Sequence, residues 1–476
     1  MQVGVIGLGY VGLVTSVCLA EWGHDVVGVE TNQNRLDALK QGRVPFFEPG
    51  LAEMVARHTA AGHLKFSASA RRAVRDSDVI IVAVGTHDGN GGWQTETMLA
   101  CLSEVVPYMA DGATLVVRST LPPDFIRQLP RLLRSLRQQA GLGPIAALLN
   151  PEFTREGAAL HDFLMAERVI FGVIDDADGH GQRRLAELYA RSTAPILTMS
   201  AIDAAFAKLG SNLFLATKIS FANELAALCD AYGAQVDQVV AGMAYDARIG
   251  GSFLRAGVGF GGSCLPNQVA MTVKSATLAG VPAPLLAAVD EINHRQRLDF
   301  VSRIRSVLGG SLIGARVGLL GLTFKPNTDD LRDAPALDIA RHLIAGGAEV
   351  TAYDPMPLAR ERAAELVPGL KVVTTAMDAL TGSDAIGLVT EWNEFVELDW
   401  AAARQTVRNP VVVDGRAALS PDALADAGFE YIAFGRGVKH SGRADVAIPI
   451  ETTPGQPPIA ALESAALEAA RSLPAE

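Results

Sequence analysis

Cysteine is scarce and unclustered in this chain. Four occur in 476 residues, and none forms a CxxC pair or stands beside histidines. That excludes a disulfide framework and a cysteine–histidine metal site, so no metal is expected. Cys18, Cys101 and Cys229 sit among apolar neighbours, where a thiol packs as a small hydrophobe. Cys264 does not. No window holds the roughly 18 uninterrupted apolar residues that a membrane-spanning helix needs. The opening Met1-Gln2-Val3-Gly4-Val5-Ile6-Gly7 has no basic lead-in and no cleavage site, so it reads as a buried strand, not a secretion signal. A cytoplasmic location is expected, with no membrane partner. Basic residues are outnumbered too: 41 Lys and Arg against 52 Asp and Glu give a formal charge of −11. Nucleic acid, whose phosphates need a basic surface, is not an expected partner. Any anionic ligand must find a local basic pocket.

What is present is apolar residue, at 49%, with 20% charged. That is a globular composition, and the length suggests roughly three domains of about 150 residues each. Residues 1–198 alternate strand-like runs, at 2–6, 25–30, 79–84 and 114–118, with helical stretches. This is the βαβ rhythm of a doubly wound parallel sheet. Residues 199–297 carry long helical periodicity at 201–232 and 282–295, with little strand signal. Residues 298–437 resume the βαβ rhythm, with strands at 317–321, 349–353, 385–390 and 411–414 and a helix at 335–345. The pattern predicts an α/β protein in which two Rossmann-like doubly wound domains are joined by a central all-helical domain. Residues 438–476 form a tail rich in Pro, Ala, Ser and Glu, in which 459–472 has the pattern of a short amphipathic helix.

Gly7-Leu8-Gly9-Tyr10-Val11-Gly12 follows the first strand and opens a helix. The spacing of Gly7, Gly9 and Gly12 suits a tight turn, close approach to a pyrophosphate and tight helix–strand packing. The helix N-terminus offers free N–H groups to the phosphates. Glu30 ends the second strand, where a carboxylate accepts from the ribose hydroxyls and repels a 2′-phosphate, so the expected cofactor is NAD. Gly85 and Thr86 follow a later strand, and Ser119 and Thr120 the next, both at the carboxyl edge where ligands bind. Thr120 can order a water or the nicotinamide amide, or it can cap a helix.

Gly257-Val258-Gly259-Phe260-Gly261-Gly262-Ser263-Cys264 presents a thiol after a glycine-rich turn, a candidate nucleophile whose alternative is a small packed residue. Asn150-Pro151-Glu152-Phe153-Thr154-Arg155-Glu156-Gly157 follows an apolar strand. Lys208 and Asn212 lie one helical turn apart on one face, inside an otherwise apolar helix. Lys325 and Arg332 lie in the polar loop after a strand of the third domain, and Arg416 ends another strand there. These cations converge on a diphosphate or remain solvated loop charges.

Together these stretches resemble the UDP-glucose/GDP-mannose dehydrogenase family over about residues 1–437. GLGYVG, FEPGL (47–51), NPEF-REG, KISF-NE (218–224), DARIG (246–250), GFGGSC, GLTFKPNTDD-R, TEW (390–392) and DGR (414–416) carry the likeness, and the wording is most like the UDP-glucose branch. The resemblance implies two successive hydride transfers from the C6 alcohol of a nucleotide-linked hexose to NAD, with Cys264 holding the intermediate as thiohemiacetal and then thioester. It implies that Lys208 and Asn212 stabilise the oxyanion, and that Glu152, Glu156 and Thr120 lie near the catalytic water and nicotinamide. Tyr10, Val11, Glu156 and Arg332 are then cofactor contacts. Phe153, Gly261, Phe324, Lys325 and Arg416 are substrate contacts, with 253–260, beginning at Phe253, covering the sugar. Arg248 is implied to reach the substrate of a neighbouring subunit in a homodimer or larger assembly built through the central helices.

The likeness breaks after the cysteine. Cys264-Leu265-Pro266-Asn267-Gln268 has Asn267 and Gln268 where the family has Lys and Asp; Gln268 can hydrogen-bond but cannot take a proton. His87 replaces a Pro, Arg118 a Lys and Glu30 an Asp. Gln268 leaves two alternatives beside the full oxidation: a dehydrogenase that stops at the aldehyde, or a silent binding homologue.

Overall fold

The computed structural model describes residues 1–87 and 92–436. The 438–476 tail and its expected helix lie outside the described residues. Eight strands come first: β1 (Gln2–Ile6), β2 (Asp25–Val29), β3 (Leu64–Ser67), β4 (Val79–Val82), β5 (Thr114–Val117), β6 (Ala146–Leu149), β7 (Val169–Asp175) and β8 (Ile196–Ser200). They pair in the order β3-β2-β1-β4-β5-β6-β7-β8. β4 and β5 are buried at every position, as unbroken Val/Ile/Leu runs require when helices cover both faces. A wholly parallel sheet was expected, but β7 runs antiparallel to β6. A parallel return needs a full crossover. Here the chain between them holds only the short helix Ala159–Leu164 and re-enters from the carboxyl edge.

The chain leaves β1 toward β2 on one side and places β4 on the other. The residues after β1 and β4 therefore border a crevice at the carboxyl edge, where such sheets bind ligands. Helix α1 (Tyr10–Glu21) starts there.

The central helices are α2 (Ala201–Tyr232), α3 (Val236–Ala244), α4 (Leu265–Leu278) and α5 (Pro284–Val307). The Ser200 hydroxyl accepts from Asp203 N, capping α2, and Gly233 in the left-handed region ends it. At 32 residues, α2 spans about 48 Å. Its Ala201, Ala204 and Ala205 pack into the core of the first sheet, and its Ala226 and Cys229 into that of the second. One rigid rod thus ties both sheets to the cleft between them.

The second sheet comprises β9 (Arg316–Leu320), β10 (Glu349–Tyr353), β11 (Lys371–Val372), β12 (Ala385–Leu388), β13 (Val411–Asp414) and β14 (Glu430–Ala433), ordered β11-β10-β9-β12-β13-β14. The helical region was expected to close at residue 297. Instead α5 continues without a break to Val307, because Phe300, Val301 and Ile304 pack into the core of the second sheet. The helix serves both domains.

Candidate active site

The glycine loop 257–262 is pinned from three sides by buried polar groups. Asn223 of α2 accepts from Gly257 N at 2.8 Å, and Gln296 of α5 donates to Gly257 O at 2.9 Å. Asn293 accepts from Phe260 N and donates back to Phe260 O. Arg416 donates to Gly259 O, Val389 O and Phe324 O. A Cβ on Gly261 would lie 2.4 Å from Asp333 O, so only glycine lets this loop meet the second sheet's loop. The result is a fixed platform that delivers Cys264 to the head of α4.

Cys264 as a residue is exposed. Protein nonetheless crowds the sulfur, and this desolvation raises its pKa, with Glu152 and Glu156 adding to the rise and Lys208 opposing it. Lys208 Nζ lies 3.1 Å from Glu152 Oε1, and both side chains are nearly buried. Burial pushes the Glu152 carboxyl up, but Lys208, Thr154 and Arg118 overcome it and hold it below the usual range. Glu152 also accepts from Thr154 N at 2.8 Å and from the Thr154 hydroxyl. Asn212, one turn along α2, donates through Nδ2 to Gln268 Oε1 at 2.9 Å. Cys264, Lys208, Glu152, Asn212 and Gln268 are therefore brought together. Phe153 is brought in differently. Its ring is flanked by Arg168 at 3.9 Å and Lys208 at 5.2 Å, so it serves as a platform beneath the lysine.

The loop after β9 closes the cleft from the second sheet. Arg332 grips Asp330 with two nitrogens and reaches Glu156 Oε1 at 3.1 Å. Burial, then Asp330, raise the Glu156 carboxyl to about 8. Lys325 lies within electrostatic reach of Glu156 and Cys264, with Nζ 5.3 Å from the Phe324 ring centroid. The Phe324 ring packs where a Cβ on Gly262 would stand.

The residues around the Gly7 turn fit a dinucleotide. A Cβ on Gly12 would lie 1.9 Å from Gly7 O, so the turn packs tightly inward. Gly9 and Gly85 have nothing within 4 Å of a built Cβ, so the same turn and the β4 end are open outward. No side chain caps α1, and its first N–H groups remain available to phosphate oxygens. Val11 lies in that first turn. Glu30 is buried, accepts from Asn32 N at 2.9 Å, and lies 3.7 Å from Arg35. The second sheet has an acid one residue beyond β10, Asp354, but that carboxylate is consumed by Leu322 N, Thr323 N and Trp392. Of these two carboxylates, Glu30 has the fewer partners and is the one placed for a ribose.

Several of the named residues also have partners within the chain. Thr86 Oγ1 donates to Thr120 O and Ser119 Oγ to Val84 O, stitching the β4 and β5 ends together. Thr120 is not a helix cap, because Pro122 holds that position. Arg416, a candidate for a diphosphate, gives one N–H from each guanidinium nitrogen to a backbone carbonyl, and so clamps these loops together. Arg248 stands outside the cluster, 89% exposed and closed on Asp246. Phe253 sits at φ 65° in an exposed turn.

Sequence reasoning missed Glu48. Its buried carboxylate accepts from Tyr10 OH, Gly157 N at 2.6 Å and Ala159 N at 2.7 Å. Tyr10 thereby joins the nucleotide turn to the Glu152–Gly157 loop. The 47–51 stretch marked the place but not this role. Asn223, Asn293 and Gln296 carried no signal beyond being amides inside amphipathic helices. Among the described residues, no group of three His, Cys, Asp or Glu is arranged to hold a metal, and no helix is long and apolar enough to cross a membrane.

A dinucleotide crevice, a second Rossmann-like sheet and a cysteine–lysine–glutamate cluster between them define a dinucleotide-dependent dehydrogenase. Three segments match models of the UDP-glucose/GDP-mannose dehydrogenase family: its NAD binding domain over residues 1–193, its central domain over 203–295 and its UDP binding domain over 318–421. The chain is 38% identical to the UDP-glucose 6-dehydrogenase of Rhizobium meliloti, covering 92% of this chain and 100% of that one. A Bacillus subtilis UDP-glucose 6-dehydrogenase is 36% identical, covering 94% and 97%. The UDP-glucose dehydrogenase structure from Pyrobaculum islandicum superposes with a TM-score of 0.82 at 34% identity, covering 91% and 97%. The chain belongs to the UDP-glucose/GDP-mannose dehydrogenase family, and its cofactor is NAD.

Proposed function

We propose that this enzyme is a UDP-glucose 6-dehydrogenase, oxidising the C6 alcohol to the carboxylate of UDP-glucuronate. The observation that carries the reading is the exposed residue Cys264, its thiol in electrostatic contact with Lys208 and Glu152, at the seam of the two crevices. Each oxidation would pass one hydride to its own NAD⁺, with NADH exchanged between the two and the hydroxyl proton released to solvent each time. Between them the Cys264 sulfur adds to the C6 aldehyde, forming a thiohemiacetal that the second oxidation turns into a thioester. The Lys208 ammonium and the Asn212 amide stabilise the charge that develops on the C6 oxygen. Glu152, held ionised, takes the proton of the water that attacks the thioester, and the C–S bond breaks to restore Cys264. Thr120 helps to place that water.

Gln268 keeps the Asn212 amide oriented and leaves proton transfer to Glu152, so the full four-electron oxidation goes ahead. Lys325 and Phe324 bind the nucleotide sugar. Arg332 contacts the diphosphate of the cofactor. The enzyme is a homodimer joined through α2, whose exposed Phe206, Phe214, Phe221, Leu228 and Tyr232 recur along one face. Arg248, exposed near that face, reaches the partner's substrate. A reducing cytoplasm suits its unpaired cysteines, and the uronic acid product suits polysaccharide assembly.

A panel of nucleotide sugars, scored by NADH released per sugar consumed, tests the assignment. UDP-glucose should give two NADH and the highest kcat/KM. Preference for GDP-mannose or for N-acetylated UDP-sugars would overturn the substrate.

A further inference from the structure

The seam between the two sheets is closed by charge that a ligand must rearrange. Arg332 is already gripped by Asp330 at 2.9 and 2.7 Å and meets Glu156 Oε1 at 3.1 Å. The other Glu156 oxygen, Oε2, is buried and meets no donor among the described residues. The Asp330 carboxyl stands within hydrogen-bonding reach of Glu156. Two carboxylates facing each other out of water need a cation or a proton between them. The other groups facing Glu156 are Tyr10 from α1 with Glu48 behind it, Cys264 at the head of α4, and Lys325 with Arg155 beside it. Arg332 and Lys325 are the cations that favour its ionised form.

We propose that binding of a diphosphate ester in this seam is coupled to uptake of a proton by Glu156. The phosphate oxygens compete with Glu156 for the Arg332 guanidinium. Released from Arg332, Glu156 lies buried beside Asp330 and an added anion, and it stays protonated, donating to Asp330. The proton comes from solvent and no bond other than O–H forms. The ligand class rests on the dehydrogenase reading, in which cofactor and substrate both carry a diphosphate ester.

Without ligand, burial and the facing Asp330 push the Glu156 carboxyl up to about 8. The sign follows from that: below 8 the group already holds its proton, and above 8 binding must supply one. Affinity should therefore fall by up to about tenfold per pH unit above 8 and be flat below 7.

Calorimetric titration of the full-length enzyme in two buffers of different ionisation heat counts the proton directly. NAD⁺ and UDP are titrated separately at pH 7 and pH 9. Uptake should approach about one proton per ligand at pH 9 and nearly vanish at pH 7. Uptake in the NAD⁺ arm assigns the effect to the cofactor's diphosphate, and uptake in the UDP arm to the substrate's. Glu156→Gln should abolish the uptake and flatten the pH dependence. Asp330→Asn, which removes the facing anion, should move its onset to lower pH. Binding of both ligands with no proton taken up at pH 9, or uptake unchanged in both variants, overturns the coupling and leaves the dehydrogenase reading intact. Failure of both ligands to bind overturns the two together.

Discussion

The Lys208 ammonium stands 3.1 Å from the Glu152 carboxylate, with side-chain exposures of only 5% and 11%. A carboxylate so placed is ionised because of its cations, not because of water. Lys208→Met leaves burial opposed only by Arg118 and Thr154, so the Glu152 pKa should rise. The rate should fall by about a hundredfold or more, and the acid limb of the kcat–pH profile should move to higher pH. Because the folded carboxyl of the wild type is depressed, the pair's stabilisation is present above the ordinary carboxylate range and lost as pH falls through the folded value. The variant should lose about 3 kcal/mol at pH 7, and the gap to wild type should narrow toward pH 4 in urea titrations. An unshifted acid limb would remove Glu152 from the proton-transfer role.

Gln268→Leu removes the acceptor that orients the Asn212 amide. The expected result is a fall in kcat of about tenfold, from a misdirected oxyanion donor, with KM for NAD⁺ unchanged. Steady-state kinetics with each reactant varied separate these parameters. An equal change in both would mean that Gln268 supports the fold and not the amide.

The two Rossmann-like sheets and the rod between them were legible because unbroken apolar runs, glycine turns and long helical periodicity are local signals. The reversed β7 was not, since direction depends on which edge the chain re-enters. Cys264, Lys208, Glu152, Asn212 and Gln268 were grouped as a set by the family resemblance, since spacing alone offered only separate candidates. Arg416 stayed open in the sequence, because a cation at a strand end looks the same whether it meets a phosphate or backbone carbonyls. Glu48 was missed because its partners, Tyr10, Gly157 and Ala159, are distant in the chain.

Two glycines of one turn should fail differently. Gly12→Ala forces a Cβ to 1.9 Å from Gly7 O, so thermal stability and NAD⁺ affinity should drop together. Gly9→Ala meets nothing inside the protein, and its backbone at φ −66° accepts alanine. It should weaken NAD⁺ binding while leaving the melting temperature within a degree or so, since exposed substitutions cost under about 0.5 kcal/mol. Thermal shift with and without NAD⁺ checks both. Unimpaired NAD⁺ binding by Gly9→Ala would mean the diphosphate lies elsewhere.

Phe214→Asp combined with Phe221→Asp places charge in the middle of the exposed α2 stripe. Light scattering should report a dimer for wild type and a monomer for the double variant, and the monomer should lose activity if Arg248 acts across subunits. An unchanged mass would put the interface elsewhere.

The central claim is that Cys264 carries the intermediate between the two oxidations, and product stoichiometry in Cys264→Ser tests it most directly. Wild type should release two NADH for each UDP-glucose converted to the uronate. The variant should release no more than one and form no uronate. Two NADH and uronate from Cys264→Ser at the wild-type rate would contradict the account.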